Sequence, residues 1–502
     1  MSTPAHRPTN AMTLEELFVG IASAPPLPLK DITTDSRRVR EGSLFLACRG
    51  VRSHGLDYLD DVEKRGACAV AYDSTTGVLA ARDSGVPLLP VPYLCGRLGA
   101  LANRFFDAPS DRIAVIGVTG TNGKSTVAWL LARCLTFLGQ ACAYNGTLGY
   151  GFEHLASDDE MTSPDVVELH RRLAAFRDEG ADCAAIEVSS HALDQDRVAG
   201  VRFEAVIFTN LSRDHLDYHG SMDAYGAAKA RLFEDFGARH RIVNVDTGFG
   251  TELAMRCGPD VVAVSAEPGR ERPDGRYVFL ETLAKTFRGS RVAVHSSWGE
   301  SRFDLPLIGR FNVANAACVL GLLLVRGVPM DAACEALGRV TPPPGRMQNV
   351  GSGSGLGVYV DYAHAPDALR AVLSEARSHT EGALWCVFGC GGARDTGKRP
   401  EMGRIAASLA DRVIVTSDNP RTESPAGIIA DILGGISDKT NVETIEDRAT
   451  AIRTAIARAA RGDTVIIAGK GHETSQVIGD RRIPFSDADV AAAALAARER
   501  GA

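Results

Sequence analysis

The sequence predicts an α/β protein of three domains arranged around a central doubly wound parallel sheet, and three observations carry that expectation. The chain has 502 residues, more than one ordinary core accommodates. Short apolar runs alternate with helix-spaced segments, the rhythm of parallel strands joined by helices. Pro342, Pro343 and Pro344, followed by Gly345, interrupt that rhythm, because such a run continues neither a helix nor a central strand.

The expected domains are therefore residues 1–109, 110–342 and 343–502. In the first, Ser43–Cys48, Ala67–Ala71 and Val86–Val91 read as strands of a small α/β domain. The second opens on Arg112–Val118, an almost wholly apolar run of the kind that a strand covered on both faces needs. A glycine-rich turn follows, then Ser125–Leu138 with helical apolar spacing. Ala184–Val188, Ala205–Thr209 and Arg241–Val245 continue the alternation. The third block repeats it on a smaller, Rossmann-like scale, with strands at Gly357–Val360, Leu384–Phe388, Arg412–Thr416 and Thr464–Ala468. The Gly/Ser run Gly351–Gly355 suits a hairpin turn.

Composition excludes several classes. Apolar residues make up 45% and charged residues 23%, the balance of a soluble globular protein. A net charge of -7 leaves no basic footprint for nucleic acid. The 11 cysteines stand singly, without a CxxC pair, and Cys386 and Cys390 lack zinc-ligand company. Reduced thiols in the cytosol are expected. The N-terminal stretch has no basic region followed by an apolar one, and Val313–Val325, interrupted by Asn315, is too short to span a bilayer. The expectation is a cytoplasmic monomer with no membrane or nucleic-acid partner.

The turn after the first strand of the second block reads Thr119-Gly120-Thr121-Asn122-Gly123-Lys124-Ser125-Thr126. Glycines at 117, 120 and 123 let backbone N–H groups approach phosphate oxygens, and the helix N-terminus and Lys124 add positive charge. Ser125 is placed to ligate the Mg²⁺ that accompanies ATP. Val118 stands where the strict GxxxxGK[ST] pattern has its first glycine.

Glu187 ends an apolar strand, and Thr209–Asp217 follows another, so both lie where open α/β sheets bind ligands. Glu187 and His215 read either as further magnesium ligands or as a capping carboxylate and a surface histidine. Lys229, within Ala224–Phe233, reads from its surroundings as a solvated lysine on a helix.

TGTNGKS at 119–125 resembles the ATP loop of the Mur ligases and the folylpolyglutamate synthetases, which share a three-domain plan. EVSSHAL at 187–193 and NLSRDHLD at 210–217 resemble further Mur motifs. The resemblance covers nearly the whole chain. It implies that Glu187 and His215 bind magnesium, and that Lys229 is carbamylated into an oxygen ligand for a second ion. Lys124, Glu187, His215 and Lys229 become the catalytic set, with Ser125 beside them at the metal. The implied chemistry, part of peptidoglycan precursor synthesis, is phosphorylation of a peptide carboxylate by ATP. The resulting acyl phosphate is then displaced by an amine, with positioning and charge neutralisation supplying the catalysis.

Thr34-Asp35-Ser36-Arg37 with Gly42-Ser43-Leu44-Phe45 resembles a first-domain signature of the diaminopimelate- or lysine-adding members, whose first domain holds UDP. Matching positions imply UDP contacts at Thr34, Ser36, Val51, Arg52 and Ser53. They imply contacts to the muramoyl-dipeptide at Thr162, Ser163, Ser189, Gln195 and Arg197. Met161 stands where some relatives have asparagine. Asn312, Arg346, Asp361 and His364 match positions that face ATP.

Asp418-Asn419-Pro420-Arg421 is a turn as a bare tetrapeptide. Arg394 and Arg421 nevertheless offer two guanidinium forks, and Asp418 and Glu473, with Gly469 nearby in sequence, offer acceptors for ammonium. Such a set suits an amino acid with two carboxylates and two amines. DNPR resembles the diaminopimelate-adding members, so the implied substrates are ATP, UDP-N-acetylmuramoyl-L-Ala-D-Glu and meso-diaminopimelate. A lysine-adding ligase, a folylpolyglutamate synthetase and a non-catalytic nucleotide-binding protein are the alternatives. The arginine of DNPR argues against the first, the first-domain signature and DNPR argue against the second, and the complete catalytic set argues against the third.

Overall fold

The computed structural model describes residues 12–50, 53–76, 84–156, 162–271, 273–351, 355–393 and 395–501. It divides into two compact units, one of residues 1–243 and 247–261, the other of 244–246 and 262–502.

The first unit opens with a four-stranded parallel sheet of β1 (Asp31–Thr33), β2 (Ser43–Ala47), β3 (Ala67–Asp73) and β4 (Leu88–Val91), in that order. Successive strand residues point to opposite faces, and here both faces are covered. Leu44, Leu46, Ala69 and Ala71 pack with Leu94, Leu101 and Phe105 of the helix Leu94–Phe105. Phe45, Ala47, Val70 and Tyr72 form a second core with Leu59 and Val62.

The larger sheet of this unit contains β5 (Ala114–Thr119), β6 (Cys142–Gly146), β7 (Gly149–Gly151), β8 (Cys183–Glu187), β9 (Phe203–Phe208) and β10 (His240–Asn244). Their order is β10-β9-β5-β8-β6-β7, parallel apart from β7. The doubly wound expectation is met. Neighbouring strands lie to either side of β5, so the loops after β5, β6, β8 and β9 meet at one carboxyl edge, the usual ligand crevice of such sheets. β5 begins at Ala114 rather than Arg112 because Pro109–Arg112 forms a helical turn with proline at its start.

In the second unit, β11 (Val262–Ser265) pairs parallel with β12 (Arg276–Thr286), which continues through β13 (Gly289–Ser296) and β14 (Gly299–Leu305) as an antiparallel meander. The apolar run Val313–Val325 lies in the helix Arg310–Val325, buried along most of its length. The proline run lies in neither helix nor strand.

Beyond it, β15 (Gln348–Gly351), β16 (Gly357–Asp361), β17 (Leu384–Phe388), β18 (Arg412–Val415), β19 (Val442–Thr444) and β20 (Thr464–Ala468) form a sheet ordered β15-β16-β20-β17-β18-β19. Only β15 runs antiparallel in it. The expected hairpin turn joins β15 to β16, though residues 352–354 of it lie outside the described residues. A hairpin of β21 (Ser475–Ile478) and β22 (Arg481–Pro484) precedes the last helix, Asp487–Gly501. All 11 cysteines are unpaired. Among the described residues, no helix is long and apolar enough to cross a membrane.

Candidate active site

The glycine-rich turn leaves β5 with Gly120 at φ +146° and Gly123 at +86°, and the helix Lys124–Phe137 begins immediately after it. A side chain at Gly120 would strike the Thr209 hydroxyl at 1.9 Å, so glycine is required there for packing as well as conformation. The loop after β9 braces the turn. Thr121 N–H donates to Asn210 O at 2.8 Å, Asn122 N–H to Asn210 Oδ1 at 3.0 Å, and Thr209 Oγ1 to Asn122 O at 2.6 Å. Thr121 Oγ1 joins Ser212 and the Tyr225 hydroxyl. Thr126 is buried in the first helical turn.

Two lysines meet at Gly120. Lys124 Nζ donates to the carbonyls of Gly120 and Thr121, each at 2.9 Å, and Lys229 Nζ donates to the same Gly120 carbonyl at 2.8 Å. Lys229 is 1% exposed and lies 4.3 Å from the Tyr225 ring centroid. Burial, then the Lys124 charge, lowers its pKa from 10.5 to about 6. Lys229 is thus a buried amine whose charged form is disfavoured, and no solvated surface lysine.

Glu187, at the end of β8, is buried beside this loop. Its Oε2 accepts from Ser125 Oγ at 2.9 Å and from Thr147 Oγ1 at 3.2 Å; its Oε1 accepts from Thr147 N–H at 2.8 Å and from the Tyr144 hydroxyl. Tyr144 and Thr147 were not legible as site residues. Their only signal is the short apolar run Cys142–Tyr144 ending in a Gly-Thr step. His215 adopts φ +50° at the start of Leu216–His219, with its ring centroid 4.9 Å from that of His191 and 6.1 Å from that of Tyr225. The structure thus joins Ser125 to Glu187, and Lys124 to Lys229 through Gly120, with His215 near Tyr225. Among the described residues no group of three or more His, Cys, Asp or Glu forms a ready metal cluster.

The expected dipeptide contacts form a chain of hydrogen bonds adjoining Glu187. Thr162 Oγ1 lies 3.2 Å from Thr147 Oγ1, and Ser163 Oγ donates to Glu187 O at 3.0 Å. Ser189 N–H donates to Ser163 Oγ at 3.2 Å. Arg197 reaches Ser163 O at 3.0 Å and Gln195 Oε1 at 3.0 Å, and Gln195 donates to the Tyr218 hydroxyl. In the first sheet's region, Thr34 is half-buried and Ser36 opens a 3₁₀ turn capped by Asp35. Ser53 Oγ contacts the Tyr58 hydroxyl at 3.1 Å. Val51, Arg52, Met161 and Arg394 lie outside the described residues.

In the second unit, Asn312 Nδ2 donates to Ile308 O and Asn312 Oδ1 accepts from Asn315. Asp361, ending β16, accepts from the N–H groups of Met347 and Ala363, each at 2.8 Å, and burial raises its pKa. Arg346 has its guanidinium 5.0 Å from the Tyr362 ring centroid, and its buried Nε has no hydrogen-bond partner among the described residues. His364 Nδ1 lies 2.8 Å from Tyr362 O.

The turn Asp418–Arg421 follows β18 and faces the loop Gly469–Glu473 after β20. Asn419 Nδ2 donates to Glu473 Oε2 at 2.8 Å. A Cβ on Gly469, at φ +120°, would lie 2.6 Å from Asp418 Oδ2, so that glycine admits the carboxylate. Burial raises the Asp418 pKa. Arg421 sits at φ +51°, an uncommon conformation for a non-glycine residue. The hairpin holds it there: Arg421 N–H donates to Val477 O at 3.0 Å and Gly479 N–H to Arg421 O at 2.7 Å. Its Nη1 donates to Gly392 O at 2.9 Å, and Pro420 O closes on Gly392. Below the loops, Arg448 and Asp487 form a buried two-bond ion pair, and Arg448 also holds Ala468 O and Ser417 O. Sequence reasoning missed that pair because its members are 39 residues apart.

Against known proteins, the Mur ligase family, catalytic domain matches residues 28–105, the Mur ligase middle domain 118–323, and the Mur ligase, glutamate ligase domain 345–471. A UDP-N-acetylmuramoyl-L-alanyl-D-glutamate--2,6-diaminopimelate ligase of Chromobacterium violaceum is 45% identical over 477 residues, 94% of this chain and 95% of its own. The Pseudomonas aeruginosa ligase of that name is 44% identical over 498 residues, 97% and 99% of the two chains. A solved structure bearing the same name matches with TM-score 0.71 at 32% identity, covering 98% of this chain and 100% of its own. The Thermotoga maritima MurF ligase in complex with ADP shares the fold at TM-score 0.61 and 16% identity, covering 94% and 98%.

Proposed function

The chain belongs to the Mur ligase family, and from that premise we propose that it uses ATP to join meso-2,6-diaminopimelate to the D-glutamate γ-carboxylate of UDP-N-acetylmuramoyl-L-Ala-D-Glu. The enzyme is an amide-forming ligase of peptidoglycan precursor synthesis. The γ-carboxylate attacks the γ-phosphorus of ATP, ADP leaves, and an acyl phosphate forms. The amine then adds to the acyl carbon, loses a proton and expels phosphate. No protein nucleophile is needed.

The chain's work is to bring two anions together. Backbone N–H groups of Gly123–Ser125 and the Lys124 ammonium offset their repulsion at the β- and γ-phosphates. Arg346, with its unpartnered buried Nε, and Asp361 and Asn312 are assigned to the nucleotide. Ser125, Glu187, His215 and the carbamate of Lys229 would hold Mg²⁺. The hydroxyl–carboxylate pair of Ser125 and Glu187, 2.9 Å apart, is the hard oxygen set that this ion prefers. Magnesium supplies charge neutralisation at the transferred phosphoryl group. Thr34, Ser36, Val51, Arg52 and Ser53 are assigned to UDP, and Thr162, Ser163, Ser189, Gln195 and Arg197 to the dipeptide. Residues 1–109, 110–342 and 343–502 are taken as the UDP, ATP and amino-acid domains.

The observation that carries the reading is Lys229. A neutral amine buried against the phosphate loop is the form that adds to CO₂: the N–C bond forms, one C=O electron pair moves to oxygen, and the amine proton leaves to solvent. The product is an anion near the Lys124 ammonium, which shares the Gly120 carbonyl with Lys229. The test is release of phosphate from ATP with the UDP-dipeptide and each candidate amino acid in turn. Diaminopimelate should support turnover and lysine should not; equal rates with lysine would overturn the substrate assignment.

A further inference from the structure

Lys470 is wholly buried, with 0% exposure, and an ammonium so placed needs partners to offset its lost hydration. It has two: Glu473 Oε2 at 2.7 Å and Asn419 Oδ1 at 3.0 Å. Asn419 closes the triangle by donating to the same Glu473 Oε2 at 2.8 Å, and its Oδ1 also accepts from Val477 N–H at 2.9 Å. The Asn419 Oδ1 therefore accepts two bonds and its Nδ2 donates one, all within the protein. Glu473 takes both bonds on one oxygen, and its Oε1 has no protein partner among the described residues.

We infer that Lys470 is a positioning residue of the amino-acid site: it pins Glu473 through Oε2 and so presents Oε1 to an ammonium group of the incoming diamino acid. Asn419 acts with it as a spacer between Lys470 and Glu473. The inference rests on the assignment of Glu473 to the amino-acid site.

The charges facing Glu473 come from several elements. Lys470 and His472 on its own loop, Asp418 after β18, and Arg448 on the helix Arg448–Arg458 all bear on it. Burial pushes the Glu473 carboxyl up, but Lys470, by hydrogen bond and by charge, holds it below the usual range, with Asn419 and His472 assisting. Without Lys470, burial and the neighbouring Asp418 act with less opposition, and Glu473 protonates at higher pH. A protonated carboxyl is a poor acceptor for ammonium.

The test uses steady-state phosphate release by the full-length enzyme with the UDP-dipeptide, ATP and diaminopimelate. Lys470→Met should raise KM for diaminopimelate roughly 30-fold or more, while KM for ATP and for the UDP-dipeptide changes less than about 3-fold by the same comparison with truncated charge pairs. The acid limb of kcat/KM for diaminopimelate should move upward by about one pH unit. In a Glu473→Gln background the Lys470→Met change should add little, because its target charge is gone. Lys470→Gln keeps a donor but not the charge, and carries the same pH test should the Met variant fail to fold. Equal increases in all three KM values, full additivity with Glu473→Gln, or an unmoved acid limb would overturn the inference. A Glu473→Gln variant with unaltered KM for diaminopimelate would instead sink the assignment of Glu473 itself.

Discussion

The phosphate loop of the first unit and the amino-acid region of the second handle basic side chains in opposite ways. In the loop, Lys124 and Lys229 rest on main-chain carbonyls of Gly120 and Thr121. In the amino-acid region, Arg448 is locked to Asp487, Lys470 to Glu473, and Arg399 to Glu423 and Asp431. A donor resting on a carbonyl gives up only a dipole when an anionic ligand arrives. A cation already bonded to a carboxylate would have to break an ion pair first. The loop therefore leaves Lys229, held by a carbonyl, ready to react or take up a ligand, and the other region uses cations as framework. Among the described residues, and of Arg448, Lys470, Arg399 and Arg421, it is Arg421 whose hydrogen bonds go only to carbonyls, those of Gly392 and Asn419. By this criterion it is the group placed to receive a substrate carboxylate.

The comparison breaks most visibly if a framework pair can be removed cheaply. Asp487→Asn leaves Arg448 charged and buried without its carboxylate, and should cost about 3–5 kcal/mol of stability. Urea unfolding measures it. At temperatures where the variant stays folded, its KM for ATP should match the parent's. A variant as stable as the parent would show that the pair is not framework.

Lys229→Ala tests the other side. It should lower kcat by about 10²–10³-fold, the scale of losing one preorganised electrostatic group, without loss of fold. Phosphate-release kinetics beside a circular-dichroism melt would check both parts. A destabilised but fully active variant would place Lys229 with the framework instead.

Arg421→Ala should raise KM for diaminopimelate roughly 30-fold or more, the lower end expected for losing one member of a desolvated charge pair. Binding of ATP, measured by calorimetry, should be unaltered. An unchanged KM for diaminopimelate would remove Arg421 from the ligand-ready class.

How much of this was legible depended on the kind of signal each element carries. β5, β8, β9, β16, β17 and β20 are covered on both faces, so continuous apolar runs announce them. β1 is three residues long, and β14 mixes exposed polar residues with partly buried ones, so no apolar run marks either. The phosphate loop was readable because its chemistry is local: glycines, lysine and serine within eight residues. Lys229 was misjudged from its surroundings as solvated, although Tyr225, Leu232 and Phe233 place it within the apolar stripe of its own helix at the i, i+4, i+7 spacing. The triangle of Lys470, Asn419 and Glu473 was not read: Lys470 and Glu473 are three residues apart on one loop, but Asn419 joins them only when the loops after β18 and β20 meet.

The smallest effect is a slope, and it probes the protonation state on which the ligand-ready reading of Lys229 depends. In the folded chain Lys229 has a pKa of about 6, against an ordinary 10.5. Between those values the unfolded chain binds a proton that the folded chain does not, so this residue makes stability rise with pH, by about 1.4 kcal/mol per pH unit. Lys229→Met carries no such proton. In CO₂-free buffer the variant should therefore be the more stable near pH 7, and its advantage should shrink as pH rises toward 9. Other titrating groups are common to both chains and cancel in the difference. Urea unfolding at several pH values supplies the measurement. Parallel stability curves would mean that Lys229 remains an ammonium when buried, leaving no free electron pair to attack CO₂ and placing this lysine with the paired cations of the second unit.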